Sequence, residues 1–200
     1  MSRVGVLALQ GDVREHIRAI DECGGIAFPV KTVTDLISCD GLIIPGGEST
    51  TISKLARNFG LFDPITHAIS AGLPVYGSCA GMILLANRVL DAMEGQESFG
   101  GLDVTVRRNA FGRQVDSFES EIEFSASRPF TFNAVFIRAP WVEEVGVGVE
   151  VLAKIDGHPV AVRSGNLFAT SFHPELTSDT RIHRFFMDEV VAVSRDRARK

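Results

Sequence analysis

The residues Gly77-Ser78-Cys79-Ala80-Gly81 set a cysteine between glycines two positions away on each side. They follow the apolar pair Val75-Tyr76 and precede a stretch rich in Ala, Leu, Ile and Met. Where a strand turns sharply into a helix, the central side chain is held exposed at the strand's carboxyl end, and glycines permit the turn and the close approach of neighbouring backbone. A thiol placed there lies beside the unpaired N–H groups of a helix start, which favour its nucleophilic, ionised form. A thiolate also needs a proton carrier. His173 offers one in Phe172-His173-Pro174-Glu175, at the end of the apolar run Leu167–Ser171. Glu175, two residues on, is placed to accept the second ring proton and fix the tautomer. Cys79, His173 and Glu175 are therefore candidate catalytic residues for attack on a carbonyl carbon.

Such an attack builds negative charge on an oxygen. Gly46-Gly47-Glu48-Ser49 follows the apolar run Leu42-Ile43-Ile44-Pro45 and leads into a helix start, so its turn presents backbone N–H groups. Gly46 and Gly47, with the N–H of Ala80, are the expected oxyanion hole, where the loss of one donor typically costs about 3 kcal/mol of barrier.

The elements that must hold these residues are legible as patterns. Val4–Leu9 reads as a strand buried on both faces. Val13, Ile17 and Ile20 recur at helical spacing, and Gly24-Gly25 stops that helix. Short strands are predicted at Ile26–Val30, Leu42–Ile44 and Val75–Gly77, with helices from Ser49 to Gly60, at Pro64–Ala71 and at Ala80–Val89. The second half reads differently, as strands at 102–106, 121–124, 133–137, 149–155, 160–163 and 167–171 and a closing amphipathic helix at 180–193. Together these predict an α/β fold: an open, mostly parallel twisted sheet with helices on both faces and a mixed or antiparallel extension. Residues 1–200 are expected to form one domain, with a charged, solvated tail at about 195–200.

Composition narrows the chemistry. A formal net charge of -5 gives no broad attraction for phosphate backbones or anionic lipid, so neither nucleic acid nor a membrane surface is the expected partner. No apolar run approaches the roughly 18 residues of a membrane span, and the amino terminus lacks a signal-peptide pattern, which predicts a cytoplasmic protein. The three cysteines, Cys23, Cys39 and Cys79, are widely spaced without a CxxC pair, so no disulfide framework and no metal site is expected. There is no GxGxxG or GxxxxGK[ST] loop to bind a phosphorylated ligand, and no cofactor is expected.

Three segments together, Pro45 to Thr51, Gly77 to Gly81 and Ser171 to Glu175, resemble the class I, triad-type glutamine amidotransferases. Leu9-Gln10-Gly11 with Arg14-Glu15-His16, the run from Arg108 to Glu119, and Phe136-Ile137-Arg138-Ala139-Pro140 look like the glutaminase subunits of pyridoxal 5'-phosphate synthase. The likeness runs from about Val4 to about Val190. It implies hydrolysis of L-glutamine to glutamate and ammonia, with the ammonia passed to a separate synthase subunit. It also implies that Cys79, His173 and Glu175 are the triad and that Gly47, Glu48, Ser49, Arg108, Ile137 and Arg138 bind glutamine. An Arg suits that task, because a guanidinium can clamp a substrate carboxylate in a charge-assisted pair. Two departures from the pattern are Ser78, where Thr is frequent, and the segment Arg88 to Gly100, which does not align with it by motif.

Other readings of the same residues stand beside these. The chain could hydrolyse γ-glutamyl peptides, or serve as a scaffold without catalysis. Arg138 could pair with Glu143 instead of substrate, and Arg107 reads as solvated. Cys23 and Cys39 read as packing residues. His16, His67, His158 and His183 lack metal-ligand spacing and read as surface or capping residues, His16 being also a candidate partner contact. Phe111, Phe118, Phe124, Phe130, Phe132 and Phe136 read as core and subunit contact.

Overall fold

A computed structural model describes residues 1–111, 117–192 and 194. Part of the run from Arg108 to Glu119, Val193 of the expected closing helix and the charged tail fall outside the described residues.

The first half of the chain alternates strand and helix as its apolar runs predict. It comprises β1 (Arg3–Leu7), α1 (Val13–Glu22), β2 (Ile26–Val30), α2 (Val33–Ile37), β3 (Gly41–Ile44), α3 (Ser49–Asn58), α4 (Phe62–Ser70), β4 (Val75–Ser78) and α5 (Ala80–Leu85). The second half is mostly strand: β5 (Ala86–Leu90), β6 (Leu102–Arg107), β7 (Ser117–Phe124), β8 (Phe130–Ile137), β9 (Trp141–Val145), β10 (Glu150–Ile155), β11 (His158–Ser164) and β12 (Leu167–Thr170). A short 3-10 turn, Pro174–Leu176, precedes α6 (Arg181–Phe185), which continues as a wider π-type coil over Phe186–Val191.

Seven strands form the central sheet in the order β10-β11-β12-β4-β3-β1-β2. From β12 to β2 every neighbouring pair is parallel, while β10, β11 and β12 pair antiparallel. The expected mostly parallel sheet with an antiparallel extension is therefore present. The period of two along its strands divides the core into two layers. Leu42, Ile44, Val75, Leu167 and Ala169 pack on one face with Ile52 and Ala56 of α3, Ile65 of α4 and Leu84 of α5. Ile43, Tyr76 and Phe168 pack on the other with Ile20 of α1, Ile182 and Phe185 of α6, and Phe124, Phe132 and Phe136 of the β7–β8 hairpin. Burying each such side chain contributes about 2 kcal/mol. Phe124, Phe132 and Phe136 are core, as expected, and Phe111, Phe118 and Phe130 pack partly buried against them.

Three elements differ from their sequence patterns. The helix expected over Ala80–Val89 ends at Leu85, because Ala86 turns extended (ψ 139°) and β5 pairs parallel with β6. Arg88 completes that pairing through Thr105 and Asp103, so tertiary contacts override a helix-favouring composition. Helix α2, unforeseen, starts at a capping box between Thr32 and Asp35. Strand β9, also unforeseen, is recruited by antiparallel pairing with β6.

Helix α5 lies unusually close to β3. A Cβ added at Gly81 would collide with the carbonyl oxygen of Ile44, so glycine is needed for the helix to approach the sheet where Cys79 leaves it. Gly81→Ala should lower stability by about 1–3 kcal/mol, the usual cost of overpacking, read as a lower urea midpoint at an unchanged m-value.

Candidate active site

The carboxyl ends of β1, β3, β4 and β12 lie side by side and deliver, in turn, Gln10 to Asp12, Gly46 to Ser49, Cys79, and His173 to Glu175. In open α/β sheets this edge, near the point where strand order reverses, is where ligands bind. An open cavity of about 360 Å³ sits there, within the range that holds a small molecule. Gly47, Glu48, Ser49, Cys79, Ala80, Arg108, Ile137, Arg138 and His173 all line it. Two predicted site residues do not: Glu175 is buried behind His173, and Gly46 packs against the His173 ring so closely that an added Cβ would strike its Cε1.

Cys79 joins β4 to α5 with φ 49° and ψ -99°, a conformation that L-residues avoid and that turns the chain abruptly. Its backbone N–H donates to the Thr170 carbonyl at 2.8 Å, locking the turn to β12. The sulfur is almost buried and approaches the Ile137 carbonyl oxygen at 3.9 Å. Asn109 (φ 46°) and Arg138 (φ 42°) also line the cavity with positive φ. Among the described residues, three of the five non-glycine residues with positive φ therefore surround one cavity, and such outliers gather where function constrains the backbone.

His173 Nδ1 lies 2.8 Å from Glu175 Oε1 and 3.4 Å from Asp12 Oδ2. Burial disfavours a charged ring, but Asp12, Cys79 and Glu175 outweigh it by hydrogen bonding and charge, and the His173 pKa is pushed up to about 12. Burial raises the Glu175 pKa while His173 pulls it down. Ser78 adds a hydroxyl donor 3.1 Å from Glu175 Oε2. One ligand-type atom each from Asp12, His173 and Glu175 falls within 4.8 Å of the others, a set that suits a cation on paper. The 2.8 Å contact between Nδ1 and Oε1 is hydrogen-bond length, so a proton links these two groups.

At the other end of the cavity, Glu48 caps α3 by accepting from the N–H groups of Thr50 and Thr51 at 3.2 and 2.7 Å. Arg108 donates to Glu48 Oε1 at 3.2 Å and to Gln96 Oε1 at 2.9 Å, contacts that use two of the five N–H donors of a guanidinium. Gln96 in turn donates to the Ser49 hydroxyl at 3.1 Å. The Glu143 considered as an Arg138 partner is instead held by Arg107 and Trp141, and the Arg107 side chain is solvent-accessible, as expected, and ion-paired as well.

Several residues here escaped prediction. Gln10 lines the cavity and accepts from the Glu48 N–H at 2.8 Å. Asp12, Ile83, Asn109 and Leu176 line it too. Gln10 and Asp12 occupy the turn after β1, a place that strand-end logic alone could have flagged. Gln96 lies in the segment that does not align by motif. The largest correction concerns His16 and His183, expected at the surface: both are fully buried, with His16 Nδ1 2.9 Å from His183 Nε2.

A sheet of this topology, with a thiol, an imidazole and a carboxylate at its carboxyl edge, fits the class of glutamine amidotransferases. The chain belongs to the SNO glutamine amidotransferase family, whose pattern matches residues 6–192. It is 60% identical over 188 residues to pyridoxal 5'-phosphate synthase subunit PdxT of Parafrankia sp. (strain EAN1pec), covering 94% of this chain and 93% of the relative. It is 59% identical to the subunit of the same name from Mycobacteroides abscessus, over 94% and 97% of the two chains. A crystal structure of a glutamine amidotransferase, 48% identical, superposes with a TM-score of 0.87 over 94% of this chain and 98% of that one.

Burial alone holds the His183 pKa down, to about 4 from an ordinary 6.5. The neutral ring's contribution to stability is complete above about pH 6.5 and is lost as pH falls from there to about 4, where the folded state must also charge. In His183→Phe the decline of unfolding free energy between pH 7 and pH 4 should be shallower than in the parent by up to about 3 kcal/mol, measured by urea titration at each pH.

Proposed function

We propose that this chain hydrolyses L-glutamine to L-glutamate and ammonia through a γ-glutamyl thioester on Cys79, and hands the ammonia to the synthase subunit of a pyridoxal 5'-phosphate synthase. Residues 1–200 act as one glutaminase domain in the cytoplasm. The observation that carries this reading is the 2.8 Å bond from His173 Nδ1 to the buried Glu175 carboxylate, with His173 and Cys79 lining one cavity. The names and identities of the relatives support the substrate and the partner.

In this mechanism the Cys79 sulfur attacks the side-chain amide carbon of glutamine. Negative charge develops on the amide oxygen and is met by the N–H groups of Gly47 and Ala80, the two expected oxyanion-hole residues that line the cavity. His173 gives a proton to the departing nitrogen as the C–N bond breaks, and ammonia leaves. Water then adds to the thioester, His173 takes its proton, the C–S bond breaks and glutamate is released. Glu175 keeps the ring in the tautomer whose Nε2 serves both steps. Glu48, Ser49, Gly47, Ile137, Arg108 and Arg138 hold the amino-acid end of the substrate, with a guanidinium on its α-carboxylate. Free ammonia at neutral pH is mostly ammonium and a poor nucleophile, so a sheltered route to the synthase favours the coupled reaction.

The chain mixed with its synthase partner should hydrolyse glutamine and support glutamine-dependent product, at a rate higher than the chain alone. Cys79→Ala should lower glutamine turnover by at least about a thousandfold while added ammonium still supports synthesis. A Cys79→Ala complex that uses glutamine as well as the parent would leave only a scaffolding role, and cleavage of γ-glutamyl peptides without product formation would point to a peptide hydrolase. Glu175→Gln, which keeps volume but disturbs the tautomer, should lower kcat by about a hundredfold or more with little change in KM.

A further inference from the structure

Behind Glu175, beside the Tyr76 ring, two histidines have no part in the chemistry above. His16 of α1 and His183 of α6 are both fully buried, and each lies about 6 Å from the Tyr76 ring. His16 Nδ1 is 2.9 Å from His183 Nε2, and His16 Nε2 faces Glu175 Oε2 at 3.5 Å. The other oxygen of that carboxylate is the one bonded to His173. The groups thus form one chain, from His183 through His16 and Glu175 to His173, which lines the cavity with Cys79. His16 Nε2 and His183 Nδ1 are buried ring nitrogens that make no hydrogen bond among the described residues, although His16 Nε2 faces the carboxylate.

Tautomer logic orders the protons along it. One of the two facing nitrogens of the histidine pair must donate and the other accept. Were His16 protonated on Nδ1, its bare Nε2 lone pair would face a carboxylate oxygen across 3.5 Å, a repulsive arrangement. His183 would then accept on Nε2 and bury an N–H at Nδ1 with no acceptor. In the opposite assignment His183 Nε2–H donates to His16 Nδ1, and His16 Nε2–H points at Glu175. The buried N–H then faces the negative carboxylate across 3.5 Å, and the nitrogen left with nothing opposite is an acceptor, His183 Nδ1, which is tolerated better than a buried donor. A doubly protonated His16 is opposed by burial first, and by the neighbouring His183 and His173.

We infer that His16 is a positioning residue of the hydrolysis: as the Nε2–H tautomer it holds Glu175 Oε2, with Ser78 on the same oxygen, so that Oε1 stays on His173. His183 fixes the His16 tautomer from behind. This role rests on the reading that Glu175 serves His173 in glutamine hydrolysis.

The test compares His16→Met, which keeps bulk but removes the donor, with His16→Gln, whose amide N–H can take the place of Nε2–H. Both are assayed as complexes with the synthase subunit, beside Cys79→Ala. Met should lower kcat at least about tenfold at unchanged KM, because Glu175 loses the N–H dipole that faces its Oε2 in a buried setting. Gln should return kcat to within about threefold of the parent. A Met variant as active as the parent, or a Gln variant no better than Met, would overturn the role. Nitrogen-15 histidine spectra of the unaltered protein provide a reading that needs no variant to fold: the proton is expected on His16 Nε2, and finding it on Nδ1 instead overturns the inference. A parent complex that fails to hydrolyse glutamine would strike the glutaminase reading itself, whatever the tautomer.

Discussion

The site depends on the register in which β12 lies parallel to β4. Thr170 stands opposite Ser78, and the Thr170 carbonyl takes the N–H of Cys79. That pairing puts the end of one strand, with its thiol, next to the end of the other, with its imidazole. A slip by one residue would turn every side chain of β12 to the opposite face and exchange Phe168 for Ala169 in the aromatic layer. The layer resists this, because Tyr76 stacks on Phe168 with ring centroids 4.7 Å apart, and the Tyr76 hydroxyl is 2.8 Å from that of Thr170. Core packing and catalytic geometry are here one requirement.

Burying His173 and Glu175 together is not an efficient way to stabilise a fold, since desolvation of both groups offsets much of their attraction. Their retention beside Cys79 makes sense as preorganisation. The imidazole is held in place by Asp12 and Glu175 near one nitrogen and lines the same cavity as Cys79. The same economy holds on the far wall, where Glu48, Arg108, Gln96 and Ser49 order one another before any ligand arrives. Backbone strain at Cys79, Asn109 and Arg138 is carried by the surrounding sheet.

Much of this was legible in the residues. The apolar runs of β1, β3 and β4 located the parallel sheet, and the glycines around Cys79 and before Glu48 located its functional edge. What escaped was set by contacts distant in sequence. Residues 86–90 have a composition that extends a helix, yet pairing with β6 makes them a strand. Trp141–Val145 carries two glutamates on an exposed edge and gave no alternation to read. His16 and His183 lie 167 positions apart, so nothing local announced that they would meet in the core. The Thr32/Asp35 capping box, by contrast, was plainly written and marks a helix too short to show a period.

β12 sits between β4 and β11 in the finished sheet although it is the last strand in the chain. Until residues 167–170 have been made, the side of β4 that β12 covers has no partner strand to pair with. Nascent molecules carry the thiol for that interval without the base that would make it useful. Insertion of a single late strand both closes a sticky edge and completes the reactive centre, so a molecule able to consume substrate is one whose sheet has already been sealed.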